Sequence, residues 1–222
     1  MLRIFLVFFM ILKISYGYIN IYPSFFYKQL TKDGASETFI LTNRSNKKVG
    51  YRIYFESEEK DTNIKGEVFP KNITLDPLEK KEFKVLLTPN EKNISGEFSK
   101  TLTIKEISVP KEEKKKVYSK LKLKLSVYTE NLKAKLENKF FIENEQLILN
   151  LKNSGNRLGI FEIYALKDNE WIYLDKFILK SLEQDIKKYK YLNYQAIKII
   201  EINDNSIVLH QKLKGKTIWR IK

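Results

Sequence analysis

Cysteine is absent from this chain of 222 residues, and histidine occurs once, at His210. The first absence excludes disulfides and thiolate chemistry. The second leaves no partner for a nucleophile–base pair and no basis for a histidine-rich metal site. Glycine is scarce, with 8 residues in the chain, and no glycine-rich loop is present to cradle a phosphate. After the first twelve residues no apolar run approaches the ~20 residues that a membrane-spanning helix needs. The carboxylates Glu56, Glu58, Glu59, Glu112 and Glu113 are interleaved with lysines and read as solvated, not as a hydrolytic pair. His210, between Leu209 and Gln211 in an apolar run, reads as a partly buried structural histidine. These absences point away from an enzyme, from a cofactor and from a metal site.

What the chain has instead is a leader, a basic surface and many short strand-like runs. Met1-Leu2-Arg3, the apolar Ile4–Leu12 and the small residues Ser15-Tyr16-Gly17 form the three parts of a secretory signal peptide, with cleavage expected before Tyr18. The predicted mature protein is exported and not stably inserted in a membrane. The whole chain carries a net charge of +14. Removing the leader takes Arg3 and Lys13 from its 41 basic residues and leaves 39 against 27 acidic ones, a net charge of +12. The lysines are spread through every segment instead of clustering with glycines and aromatics on one stripe, so they read as a solvated surface and not as a nucleic-acid site. Lysine along strand edges also discourages unwanted pairing.

The remainder reads as all-β. Runs rich in Ile, Val, Phe, Tyr and Thr occupy Ile19–Tyr27, Thr38–Thr42, Tyr51–Phe55, Val68–Leu75, Glu82–Leu87, Thr101–Ile107 and Val117–Tyr128. Seven runs separated by turn clusters suit one immunoglobulin-like sandwich. Phe39, Leu41, Tyr51, Ile53, Phe55, Phe83, Val85, Leu87, Leu102 and Ile104 fall on single faces and form its predicted core. A second set follows at Leu132–Leu136, Lys139–Ile142, Leu147–Leu151, Ile160–Leu166, Trp171–Leu179, Ala196–Ile202, Ser206–Leu213 and Thr217–Ile221. Leu182–Tyr189 fits either a helical turn or a loop. The division predicted is a signal peptide at 1–17, one immunoglobulin-like domain at 18–128 and another at 129–222. The abrupt junction at Thr129-Glu130-Asn131 implies two sandwiches held at an angle. Three Asn-X-Ser/Thr sequons begin at Asn43, Asn72 and Asn93 and read as chance in so asparagine-rich a chain.

The run Leu121-Lys122-Leu123-Lys124-Leu125-Ser126-Val127 alternates with a period of two, aliphatics on one face and lysines on the other. Such a strand is either half-buried or an edge strand able to lend its apolar row to another protein. Three further segments give it a context. Phe69-Pro70-Lys71-Asn72-Ile73-Thr74-Leu75-Asp76-Pro77-Leu78-Glu79-Lys80-Lys81 resembles the "P-x-x-x-x-L-x-P-x-E/G-x-K/R" stretch of the PapD-like periplasmic chaperones of the chaperone–usher pathway. Thr101-Leu102-Thr103-Ile104-Lys105-Glu106-Ile107 is similar to their "F-x-L-R-E-I-P" strand, and Gly34 with Phe39-Ile40-Leu41-Thr42-Asn43 to their early "G-x-x-x-x-x-L-x-N" segment. The second half matches more loosely, through Leu149–Asn156.

That resemblance implies two immunoglobulin-like domains in the periplasm. It also implies capture of pilus or fimbrial subunits that lack a strand, followed by delivery to an outer-membrane usher. The subunit groove would take the last strand of the first domain by strand addition. Val117, Leu121, Leu123 and Leu125 would form the apolar row, with Ser119 interrupting it, each residue contributing ~1.5–3 kcal/mol if fully buried. Lys124 matches the family's lysine anchor for a subunit carboxylate. The accompanying first-strand arginine has no match, and Lys28 is the nearest cation. The short connection Ser108–Lys116 is similar to the branch that serves rigid pili. The competing reading is a secreted or surface structural or adhesive protein of the same fold, since fold alone does not fix function. A neighbouring gene for an usher or a fibre subunit separates the two.

Overall fold

The computed structural model describes residues 19–56, 63–91, 93–107, 118–204 and 206–213. The leader, the connection 108–116, Val117, the carboxylates Glu58, Glu59, Glu112 and Glu113 and the run 217–221 lie outside the described residues. The chain divides into two compact units between Thr129 and Glu130. No helix occurs among the described residues of either.

The first unit contains β1 (Asn20–Tyr22), β2 (Phe26–Gln29), β3 (Ala35–Thr42), β4 (Val49–Phe55), β5 (Ile64–Phe69), β6 (Asn72–Leu75), β7 (Lys80–Pro89), β8 (Glu97–Ile107) and β9 (Lys120–Tyr128). One sheet has the order β1-β3-β7-β5 and the other β2-β9-β8-β4-β6. Alternation along each strand sends Phe39, Leu41, Ile53, Phe83, Val85, Leu87, Leu102 and Ile104 into the core between the sheets, where none is more than 1% exposed. Tyr51 is also buried there, and Phe55 packs partly buried against the cluster.

Two runs that the sequence reading treats as continuous are broken at proline. Ile19–Tyr27 splits into β1 and β2 around Pro23, and Val68–Leu75 into β5 and β6 around Pro70. In both cases the chain also changes sheet. β1 pairs with β3 while β2 joins β9, and β5 pairs with β7 while β6 joins β4. Proline lacks the amide donor that would carry the ladder through, so it marks the crossing point.

The second unit contains β10 (Leu136–Glu143), β11 (Gln146–Asn153), β12 (Gly159–Lys167), β13 (Glu170–Leu179), β14 (Gln184–Lys190), β15 (Ala196–Glu201) and β16 (Ser206–Lys212). Its sheets have the orders β10-β11-β14 and β13-β12-β15-β16. The core gathers Leu147, Leu149, Leu151, Phe161, Ile163, Phe177, Ile197 and Ile199. The segment left open between helical turn and loop is strand β14. The expected strands Leu132–Leu136 and Lys139–Ile142 are one strand that starts at Leu136, because Leu132–Lys135 is drawn off to meet the Asn153 turn. There Lys135 N–H donates to Asn153 Oδ1 at 3.1 Å, and Lys133 N–H to Asn156 Oδ1 at 2.7 Å.

One turn device occurs in both units. Asn43, 1% exposed, donates through Nδ2 to the carbonyls of Lys47 (2.7 Å) and Asp76 (2.9 Å), and Oδ1 accepts from Ser45 N–H (2.9 Å). Asn153, fully buried, donates to the carbonyls of Arg157 (2.7 Å) and Leu179 (3.1 Å), and accepts from Gly155 N–H (3.0 Å). Each asparagine thus ties its own turn to the end of a strand roughly thirty residues on, saturating an amide that is costly to bury unpaired. The partner turns match as well. Glu79 and Glu183 each accept from the amide three residues back, Asp76 at 2.8 Å and Lys180 at 2.7 Å. Leu78 and Leu182 hold φ of 62° and 63°. The Asp76 amide, with Lys81, keeps the Glu79 carboxyl below its ordinary range.

Candidate functional site: the half-open edge of strand β9

β9 lies between β8 and β2, but the two neighbours cover it unequally. β8 runs antiparallel along its full length, from Glu97 opposite Tyr128 to Lys105 opposite Lys120. β2 runs parallel to it and reaches only from Phe26, opposite Leu125, to Gln29, opposite Tyr128. The stretch Lys120–Lys124 therefore has β8 as its single strand neighbour among the described residues.

The direction of the backbone groups follows from the ladder. Glu106 N–H donates to Ser119 O at 2.8 Å, which makes that pair a hydrogen-bonded one. Pairs alternate along an antiparallel ladder, so odd-numbered residues of β9 bond toward β8 and even-numbered ones point the other way. Tyr128 agrees, since its carbonyl accepts from Leu30 N–H at 2.7 Å on the β2 side. The half-open stretch thus turns the amides and carbonyls of its even-numbered residues toward the side that β2 does not reach.

Side chains grade along the same strand. Leu125 and Val127, beneath β2, are fully buried in the home core. Leu121 and Leu123 pack against that core but remain partly exposed. Of the four residues assigned to the apolar row by resemblance, Val117 lies outside the described residues, Leu121 and Leu123 stand on the half-open stretch, and Leu125 is occupied inside its own sandwich.

On the opposite face Lys120, Lys122 and Lys124 are exposed. Glu56, just beyond β4, bridges two of them, with Oε1 3.2 Å from Lys120 Nζ and Oε2 2.7 Å from Lys122 Nζ. Thr103 donates its hydroxyl to the same carboxylate at 3.0 Å. Hydrogen bonds from Lys122, then Thr103, then Lys120 hold the Glu56 carboxyl at about 2, against its ordinary 4.5. Sequence reasoning takes Glu56 for a solvated acid; its lysine partners lie more than sixty residues away, and no local pattern announces them. Lys124 stands opposite Thr101 with no ion pair among the described residues.

Lys28, the nearest cation on the first strands, is engaged elsewhere. Its Nζ donates to Ser36 O at 2.8 Å and pairs with Glu37 at 3.0 Å. It stands opposite Val127, three residues from Lys124 along the ladder, or about 10 Å. The two lysines do not form a clamp.

His210 is exposed, not partly buried as expected, with its ring edge-on to Trp171 at 5.6 Å. Among the described residues β16 pairs with β15 alone. No group of three or more metal-ligating side chains forms among the described residues.

No family model matches the chain, and no curated protein matches its sequence. Solved structures of similar form include the CupB2 chaperone of Pseudomonas aeruginosa, at 13% identity over 88% of this chain and 100% of that one, TM-score 0.44. The DraB chaperone of E. coli is 13% identical over 90% of this chain and 97% of its own, TM-score 0.46. A chain of the Salmonella enterica SafA pilin–SafB chaperone complex is 12% identical over 90% and 98%, TM-score 0.47. At that level of likeness nothing about the site transfers from them, and the geometry of β9 stands on this chain's own residues.

Proposed function

We propose that the chain is a periplasmic chaperone for pilus or fimbrial subunits, capturing clients that lack a strand by lending them the half-open stretch of β9 and handing them to an outer-membrane usher. The observation that carries this reading is the unequal covering of β9. Between Lys120 and Lys124 the strand offers backbone groups on one side and the partly exposed Leu121 and Leu123 on one face, while its downstream half is locked in the home core. A donor must stay ordered while offering part of its edge, and this division does both. Strand addition then draws affinity from main-chain hydrogen bonds and register from alternate side chains. In this reading Lys124 meets the client's terminal carboxylate through a charge-assisted bond.

The test is the double substitution Leu121→Glu and Leu123→Glu. Client capture in a co-purification assay should fall by several kcal/mol, because unpaired carboxylates would have to enter an apolar groove. The melting temperature of the free protein should change little, since both leucines are already partly in water. A collapsed melting temperature without client would instead make the two leucines ordinary core residues and overturn the reading.

A further inference from the structure

The outer face of the sheet that contains β9 is a grid of aligned side chains. Pairing registers place Arg52, Lys105 and Lys120 in one row across β4, β8 and β9, and Tyr54, Thr103 and Lys122 in the next. Glu56 and Thr101, joined by a backbone hydrogen bond of 3.3 Å, lead to Lys124 in the third. Among the described residues these three rows hold five cations and one carboxylate, Glu56, which bridges Lys120 and Lys122. Three of the five line the half-open edge itself. A strand added there would lie about 4.8 Å away, with its own side chains alternating between the two faces. Those on one face would continue the row of Leu121 and Leu123. Those on the other would stand directly opposite Lys120, Lys122 and Lys124, where like charge is repelled and opposite charge is favoured.

We infer that the partner strand taken up by this edge alternates apolar residues with acidic ones, the acidic side chains lying over the lysine row. This rests on the strand-addition reading and adds to it the chemistry of the client segment. A strand fits better than a diffuse polyanion because the lysines are set at the pitch of the open edge, whose backbone groups a polyanion would leave unused.

The experiment uses the mature full-length protein and fluorescent peptides with blocked termini, so that no terminal carboxylate contributes. One peptide alternates valine with glutamate, a second valine with threonine, a third valine with lysine. By fluorescence anisotropy at low salt the glutamate peptide should bind about tenfold tighter than the threonine peptide, and the lysine peptide weakest. The preference should disappear near 1 M salt, where the Debye length is about 3 Å. It should also weaken in the Lys120→Gln, Lys122→Gln variant, which keeps Lys124 and still binds the threonine peptide. Equal binding of the glutamate and threonine peptides would overturn the inference and leave strand addition standing. Failure of all three peptides would overturn both. A glutamate peptide interrupted by proline, which lacks the amide donors, should bind poorly. If it binds as well as its parent, or if the parent binds no better than an oligonucleotide of similar length, the contact is charge alone and the inference fails.

Discussion

Asn43 and Asn153 perform the same task in the two units, yet the residue four positions on meets opposite surroundings. Lys47 is exposed. Arg157 is fully buried, with Nη1 3.1 Å from Glu201 and Nη2 2.9 Å from Asp204. The strands that lead into the partner turns differ too. In the second unit the ten residues of β13 stay beside β12 in one sheet, with a register shift between Ile163 and Tyr164, whereas in the first the corresponding stretch divides at Pro70 between two sheets. The last strands described in the two units differ most. A register shift between Ile199 and Ile200 interrupts the pairing of β15 with β16, and such bulges blunt an edge. β9 keeps an unbroken alternation along its half-open stretch. A shared turn thus supports one unit organised around a buried ion network and another in which part of a strand has one strand neighbour among the described residues.

Three measurements sharpen or break this comparison. The largest effect is expected from Arg157→Met, which leaves Glu201 buried without its cation and should cost about 3–5 kcal/mol in urea denaturation. Lys47→Met should stay within about 0.5 kcal/mol. Equal effects at the two positions would erase the distinction drawn between the turns.

Asn43→Ala and Asn153→Ala come next, at about 3 kcal/mol each, since both strand several buried carbonyls. Trp171 and Trp219 both lie in the second half of the chain, so tryptophan emission should report the loss at Asn153 directly. Far-ultraviolet circular dichroism should report both. A near-neutral effect at either asparagine would show that its turn holds without the side chain.

The smallest effect belongs to Glu56. Its carboxyl is depressed in the folded state, so its contribution is full above the ordinary value of 4.5 and is lost as pH falls through about 2. Glu56→Gln should therefore match the parent at the acid end of that window and fall slightly below it at neutral pH, in melting temperatures taken across the range. A difference that grows toward low pH would contradict the lysine bridge.

Period-two alternation placed most core faces correctly, because burial on one side of a strand is written locally in residues such as Phe39, Leu41, Phe83 and Val85. The motifs around Asn43, Leu75–Glu79 and Asn153 were legible for the same reason, and they turn out to build the turns and not the edge. What alternation does not carry is which strand lies beside which. The parallel pairing of β2 that buries Leu125, the reach of Glu56 to Lys120 and Lys122, and the pairing of Arg157 with Glu201 all join residues far apart in the chain. Pro23 and Pro70 were visible, but their effect of switching sheets depends on the tertiary partner waiting on the other side.

The hydrogen bonds of Asn43 also bear on how this protein can be made. Asn43-Arg44-Ser45 is a glycosylation sequon, and the nitrogen that would carry the sugar donates to the Lys47 and Asp76 carbonyls from a site 1% exposed. In a eukaryotic secretory host, a glycan added to the emerging chain would occupy that nitrogen before the turn could close. Material produced there would accumulate as a misfolded glycoform, and Ser45→Ala, which removes the sequon but keeps the asparagine, would restore the fold.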